Sequence, residues 1–184
     1  MTVHVFLGST LSVIEGRRIL DATWHPPAVE GDVETLLDDR PEAIAILDAT
    51  TLAAAELASA LEQGIRVFGG AHRGAGHAAR LAEMGMVGVG RAFEALRQGT
   101  IAPADVEPGP DGPSRFDVAE ACASAVDRGA VSAATAIALE AVAGEPAELR
   151  WTFLFDRAGR AGVPAVEIDR FRAFLDRHGT AARR

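Results

Sequence analysis

The chain has 184 residues, 48% of them apolar and 24% charged, with a formal net charge of −8. That length supports one sizeable core and a small appended helical part, in the composition range of ordinary globular proteins. The acidic balance repels phosphate backbones and argues against nucleic-acid binding. The single Cys excludes an internal disulfide and fits a reducing, cytoplasmic compartment.

The chain opens with "MTVHVFLGST", which has no basic stretch followed by a long apolar core, so no signal peptide is expected. No apolar run is long enough to span a membrane. Val3–Gly8 is β-rich and ends in Gly and polar residues, the pattern of a first buried strand. "TLSVIEGRRIL" follows with helix-like apolar spacing. "ATWHPPA" is a short extended piece in which Pro26 and Pro27 stop regular structure and bias His25 toward an extended backbone. "GDVETLLDDR" reads as a short helix with Asp32 in its first turn. Ala43–Thr50 is a continuous apolar run ending in Asp48, as in a strand buried on both faces. "LAAAELASALEQG" is a strong helix closed by Gly64. "IRVFGGA" is the next strand and "GHAARLAEMG" the next helix, closed by Gly85. "MVGVG" reads as a short strand or turn, and Arg91–Gly99 as another helix closed by Gly.

Alternating strands and helices, with strands lacking polar alternation, predict an α/β fold: a mostly parallel sheet flanked by helices on both faces. From Pro103 the composition shifts to Pro, Gly and Asp. Residues 103–113 read as a linker between an α/β core over 1–102 and a helical C-terminal region over 114–184. The terminal "TAARR" reads as a frayed tail. Cys122 sits among small apolar residues at helical spacing and reads as a buried structural thiol.

Ligands of parallel α/β sheets bind at the carboxyl ends of strands. The residues there are Gly8, Ser9 and Thr10 after the first strand, His25 at the second, Asp48 after the third, and His72 and Arg73 after the fourth. Asp48, ending an apolar strand, must be partnered or lie at the rim; it can cap the following helix or belong to a site. His72 and His77, five residues apart, diverge on a helix, and nothing nearby completes a metal-ligand set, so neither a metal nor another cofactor is expected. "GAGHAA" matches a dinucleotide fingerprint only formally, because "AHR" separates it from its strand. The glycines around Gly74 still allow a close ligand, and the helix N-terminus there favours an anion such as a carboxylate, thiocarboxylate or oxyanion, with Arg73 adding charge. Glu56 reads as a solvated or salt-bridged residue on its helix.

Taken together, "FLGSTLS", "HPPAVEGDV", "AIAILDAT", the helix with Glu56, "GIRVFGGA" and "GMVGVGRAFEALRQGTI" resemble the TfuA-like family; "DVAEACASAVDRGAVSAATA" resembles its terminal helical segment more weakly. Such proteins occur beside YcaO-type cyclodehydratases in pathways that place thioamides in peptide backbones. The resemblance implies two roles: binding the cyclodehydratase, and accepting a thiocarboxylated ThiS-like sulfur carrier to release sulfide by hydrolysis. Where the family carries Ser-Met-Gly-Ala-Leu-Arg-Ala-Ala-Glu, this chain reads "HRGAGHAAR", so that His72 replaces the Ser, His77 the Arg and Arg80 the Glu. Two readings follow. In the first, His72 or His77 acts as general base, Asp48 or His25 orients it, and Ser9, Thr10, Arg73 and Gly74 bind the substrate anion. In the second, the site has diverged and the protein is a non-catalytic adaptor that docks and activates the cyclodehydratase. A small anion- or nucleotide-binding protein is a third reading. A homo-oligomer is compatible with the sequence.

Overall fold

The computed structural model describes residues 2–8, 12–108, 112–143 and 151–178. It comprises two compact units, Met1–Val106 and Glu107–Arg184.

The first unit follows the order β1 (Val3–Phe6), α1 (Val13–Ile19), β2 (Thr23–His25), α2 (Glu34–Leu37), β3 (Ala43–Ile46), α3 (Ala54–Glu62), β4 (Arg66–Gly70), α4 (His72–Arg80), β5 (Val87–Val89) and α5 (Arg91–Arg97). All five strands are parallel, in the spatial order β2-β1-β3-β4-β5. The chain moves one way from β1 to β2 and the other way from β3 onward. A crevice therefore opens at the carboxyl ends of β1 and β3, where the winding reverses.

Register aligns one residue from each strand across the carboxyl edge: His25, Phe6, Ile46, Gly69 and Gly88. Strand alternation puts His4, Ile44 and Val67 on the same face. Phe6, Ile44, Ile46 and Val67 are at most 2% exposed and form the heart of this core. α4 lies on that face so closely that a Cβ on Gly69 would fall 2.3 Å from the Gly74 carbonyl oxygen and 2.8 Å from Ala78 Cβ. A Cβ on Gly88 would strike the Phe93 ring of α5 at 2.1 Å. α1 covers the opposite face, where Gly16 rests on the Trp24 ring. β5, expected as a short strand or turn, is a three-residue strand at the sheet edge, with Val87 and Val89 each 46% exposed.

Local chemistry explains the boundaries. Ser12 starts α1 through a capping box with Glu15, which satisfies end amides that the helix cannot pair internally. Gly64 ends α3 at a φ of 79°, a left-handed turn that side chains resist. Residues 103–106, expected to begin a linker, form a 3-10 turn within the first unit, with Val106 1% exposed.

The second unit contains α6 (Arg115–Asp127), α7 (Ala133–Ala143), α8 (Trp151–Arg160) and α9 (Ala165–His178). Ser114 opens α6 with a second capping box, to Asp117. Val118, Cys122 and Ala125 recur three and four positions apart and point into the core with Leu139, Leu154 and Phe171. Phe171 is fully buried, with Trp151, Phe155 and Phe174 within about 6 Å of it, centroid to centroid. Glu167 of α9 accepts hydrogen bonds from the Ser132 amide and the Thr135 hydroxyl at the start of α7. Burial pushes the Cys122 thiol up to about 12, with Glu140 adding to the shift, so it is a packing residue. The terminal "TAARR" lies outside the described residues.

Candidate active site

The crevice at the winding reversal is built from the ends of β1, β3 and β4. The Leu47 and Asp48 amides both donate to the Phe6 carbonyl, drawing the chain after β3 across the end of β1. This lays the Asp48 carboxylate over Gly8. A Cβ at residue 8 would fall 1.8 Å from Asp48 Oδ2, so only glycine admits the carboxylate there. Asp48 is 8% exposed, and its Oδ1 accepts the Ala49 amide at 2.9 Å. It does not cap the following helix: α3 begins after Ala53, with no side-chain cap.

His72, the first residue of α4, meets this carboxylate just beyond β4. Its Nδ1 lies 3.6 Å from Asp48 Oδ2, and both side chains are almost wholly buried. That separation is in the range of an ion pair and slightly longer than a hydrogen bond; such pairs are commonly long before substrate arrives. A carboxylate beside Nδ1 favours the tautomer with the proton on that nitrogen, leaving Nε2 to act on a substrate.

The backbone that delivers His72 is unusual. Ala71 has φ 54° and ψ 163°, and His72 has φ 28°; both lie in the positive-φ territory that residues with a Cβ avoid. Close packing fixes the turn on both sides. A Cβ on Gly70 would come within 2.9 Å of Val89, and one on Gly74 within 2.0 Å of the Ile46 carbonyl oxygen. These glycines thus bring α4 down onto the sheet. Gly74 stands in the first turn of α4, whose first internal bond runs from the Ala75 amide to the Ala71 carbonyl. Arg73 donates from its guanidinium to the Thr50 carbonyl, tying the start of α4 to the loop after β3.

The other expected site residues have different surroundings. His77 lies five positions along α4 from His72, roughly 140° around the helix axis. His25 joins a second histidine that sequence reasoning missed: His4 Nδ1 and His25 Nε2 are 2.9 Å apart, with one proton between them. The two rings stack, and His25 also stacks on Phe6. Burial holds the His4 imidazole below its usual pKa; the charge of His25 lowers it further, and Asp39 opposes both. Glu56, expected to be solvated or salt-bridged, is 9% exposed and accepts the Gly31 and Glu34 amides, fastening the start of α2 and the loop before it. Ser9 and Thr10 lie outside the described residues. Among the described residues no cluster of three His, Cys, Asp or Glu side chains could hold a metal ion. No helix there is long and apolar enough to cross a membrane.

Fold and site together define a doubly wound parallel α/β protein with a buried carboxylate–imidazole pair at its winding reversal. A family model described as "TfuA-like protein" matches residues 46–145, more than half of the chain and including both members of that pair. The protein belongs to the TfuA-like family. A comparison with curated proteins found no match.

Proposed function

We infer that this protein serves a YcaO-type cyclodehydratase in peptide-backbone thioamidation, binding a thiocarboxylated ThiS-like sulfur carrier and releasing sulfide from it by hydrolysis. The observation that carries this reading is the Asp48–His72 pair, at 3.6 Å, placed where a sheet of this order binds its ligands, in a chain of this family. A thiocarboxylate is an anionic acyl group, and its hydrolysis needs a group to act at the carbonyl carbon and charge stabilisation for the oxygen. His72 supplies the first. Asp48 orients its ring and offsets the positive charge that develops there. The start of α4, with Gly74 and Arg73, supplies the positive end of a helix for the carrier's anionic terminus.

The test mixes purified protein with a thiocarboxylated ThiS-like carrier, with and without the cyclodehydratase, and measures sulfide. Sulfide release is expected, falling at least about 100-fold in His72→Ala while co-elution with the cyclodehydratase persists. Absent sulfide release, combined with co-elution and a faster cyclodehydratase, would instead establish the non-catalytic adaptor. Neither activity nor complex formation would overturn both readings.

A further inference from the structure

We propose that His72 is the covalent nucleophile of this site, its Nε2 taking the acyl group from sulfur to give an acyl-imidazole that water then cleaves. This rests on the thiocarboxylate reading above and assigns the chemical step within it.

Three observations point this way. The first is position. Gly70-Ala71-His72-Arg73-Gly74 is a sharp strand-to-helix turn at the carboxyl edge of the sheet, with glycines two residues before and after the central side chain. In hydrolases of parallel α/β type, a turn of this form lifts a nucleophile clear of the sheet. Here the residue at the centre of the turn is an imidazole, 8% exposed and set against the Asp48 carboxylate.

The second is strain. Two successive residues that carry a Cβ are held at positive φ, Ala71 at 54° and His72 at 28°. Such angles persist only where packing enforces them. Gly70 against Val89 and Gly74 against the Ile46 carbonyl are that enforcement. A general base works through an intervening water and tolerates a range of rotamers. A nucleophile must itself reach the carbonyl carbon, which is the demand that a rigid turn meets.

The third is the partner. Asp48 stands on the Nδ1 side of the ring. Acylation at Nε2 leaves a cationic acyl-imidazolium, and a buried carboxylate beside Nδ1 stabilises that cation. Neither Ala71 nor Arg73, the residues flanking His72, has a hydroxyl or thiol for it to activate. The chain's one thiol, Cys122, is buried in α6.

The step balances without any oxidant or reductant. The Nε2–carbon bond forms and the carbon–sulfur bond breaks. Sulfur takes the electron pair and one proton from solvent and leaves as hydrosulfide. Water then attacks the acyl-imidazolium, the carbon–Nε2 bond breaks, the carrier leaves as its carboxylate, and two protons return to solvent.

The test uses the full-length protein with thiocarboxylated carrier in single-turnover rapid-quench mass spectrometry, with hydroxylamine present in parallel reactions. The expected result is a transient enzyme–carrier adduct, lighter than the sum of the two by one hydrogen sulfide, mapped to His72 and absent in His72→Gln. Hydroxylamine should divert product to the carrier hydroxamate without changing the rate of sulfide release. Sulfide release with no adduct and no hydroxamate would overturn the proposal in favour of a general base; so would an adduct mapped to Ser9 or Thr10. A second arm removes the dependence on the carrier, by acetylating the protein with p-nitrophenyl acetate. Acetyl transfer to His72, slowed at least about 100-fold in Asp48→Asn, supports the nucleophile even if the carrier yields no sulfide, in which case only the thiocarboxylate reading falls. No sulfide and no acetyl-His72 overturns both.

Discussion

His4 illustrates how one side chain couples the fold to pH. It sits in the middle of β1, 8% exposed, and shares a proton with His25 across 2.9 Å. Burial lowers its pKa in the folded state, so below the unfolded value of about 6.5 the unfolded chain binds more protons than the folded one. Stability therefore rises with pH through this window and is lost as pH falls below about 6.5, until the folded state also protonates. Adding a second proton to the pair would also set two N–H groups against each other. Urea denaturation from pH 7.5 down to 5.5 should show a falling midpoint. His4→Gln, which keeps a hydrogen-bonding group but does not titrate, should flatten that slope. Gly8 is the other residue whose side chain, or lack of one, is decisive. Gly8→Ala puts a methyl group on Asp48 Oδ2, and a carboxylate this buried has little room to retreat. We expect a loss of about 1–3 kcal/mol from overpacking, measured by denaturant titration. On the proposed function, sulfide release should fall by more than the loss of folded protein accounts for, through kcat more than KM, because the displaced group is the one that faces His72.

At the scale of elements, the turn between β4 and α4 stores strain that a single substitution can relieve. Ala71, at φ 54° and ψ 163°, occupies a region that is close to glycine-only. Ala71→Gly removes that penalty and adds glycine's unfolded-state entropy, about 0.5–1 kcal/mol against it. The balance should be a gain of roughly 1 kcal/mol, seen as a raised denaturation midpoint. If the strain serves to aim His72, sulfide release should fall in the same variant. The two opposed changes, more stable and less active, distinguish a functional turn from a merely awkward one. This turn was only half legible in the sequence. The glycines of "FGGAHRGAG" announced a tight junction. That Ala71 and His72, rather than a glycine, would take the positive φ angles had no signature, because the angles are imposed by α4 packing on β3 and β4. The alternation of strand and helix was legible because continuous apolar runs such as "AIAI" and the closing Gly64 report local conformation; Gly85, expected to close the helix over "GHAARLAEMG", instead ends a 3-10 turn over Ala82–Met84, because α4 runs from His72 to Arg80. The pairing of His4 with His25 was not, since it depends on which strands lie side by side and in what register. Glu56 misled for the same reason: the amides it accepts come from residue 31 and from residue 34 at the start of α2, which only the fold brings near.

At the scale of the molecule, strand order creates the site and the helical unit stands as a second body with its own core. Asp48 and His72 are 24 positions apart in sequence and follow strands adjacent in the sheet; the rule that ligands sit at carboxyl strand ends was enough to shortlist both as candidates. It also shortlisted His25, which the structure places beside His4, and so the rule finds the edge without resolving its parts. Among the described residues, the second unit's core runs from Val118 to Leu175 and includes the fully buried Phe171. Phe171→Ala removes a ring that Trp151, Phe155 and Phe174 all touch. The expected cost is about 3–5 kcal/mol, a large share of the margin by which a protein of this size is stable. Because the lost contacts lie among α8 and α9, native-state hydrogen exchange should lose protection first in amides of 115–143 and 151–178. β1, β3 and β4, whose core is Phe6, Ile44, Ile46 and Val67, should keep theirs in the same spectrum. Simultaneous loss of protection in both sets would mean that the two cores melt as one cooperative unit, and the division at Val106 would then have no thermodynamic counterpart.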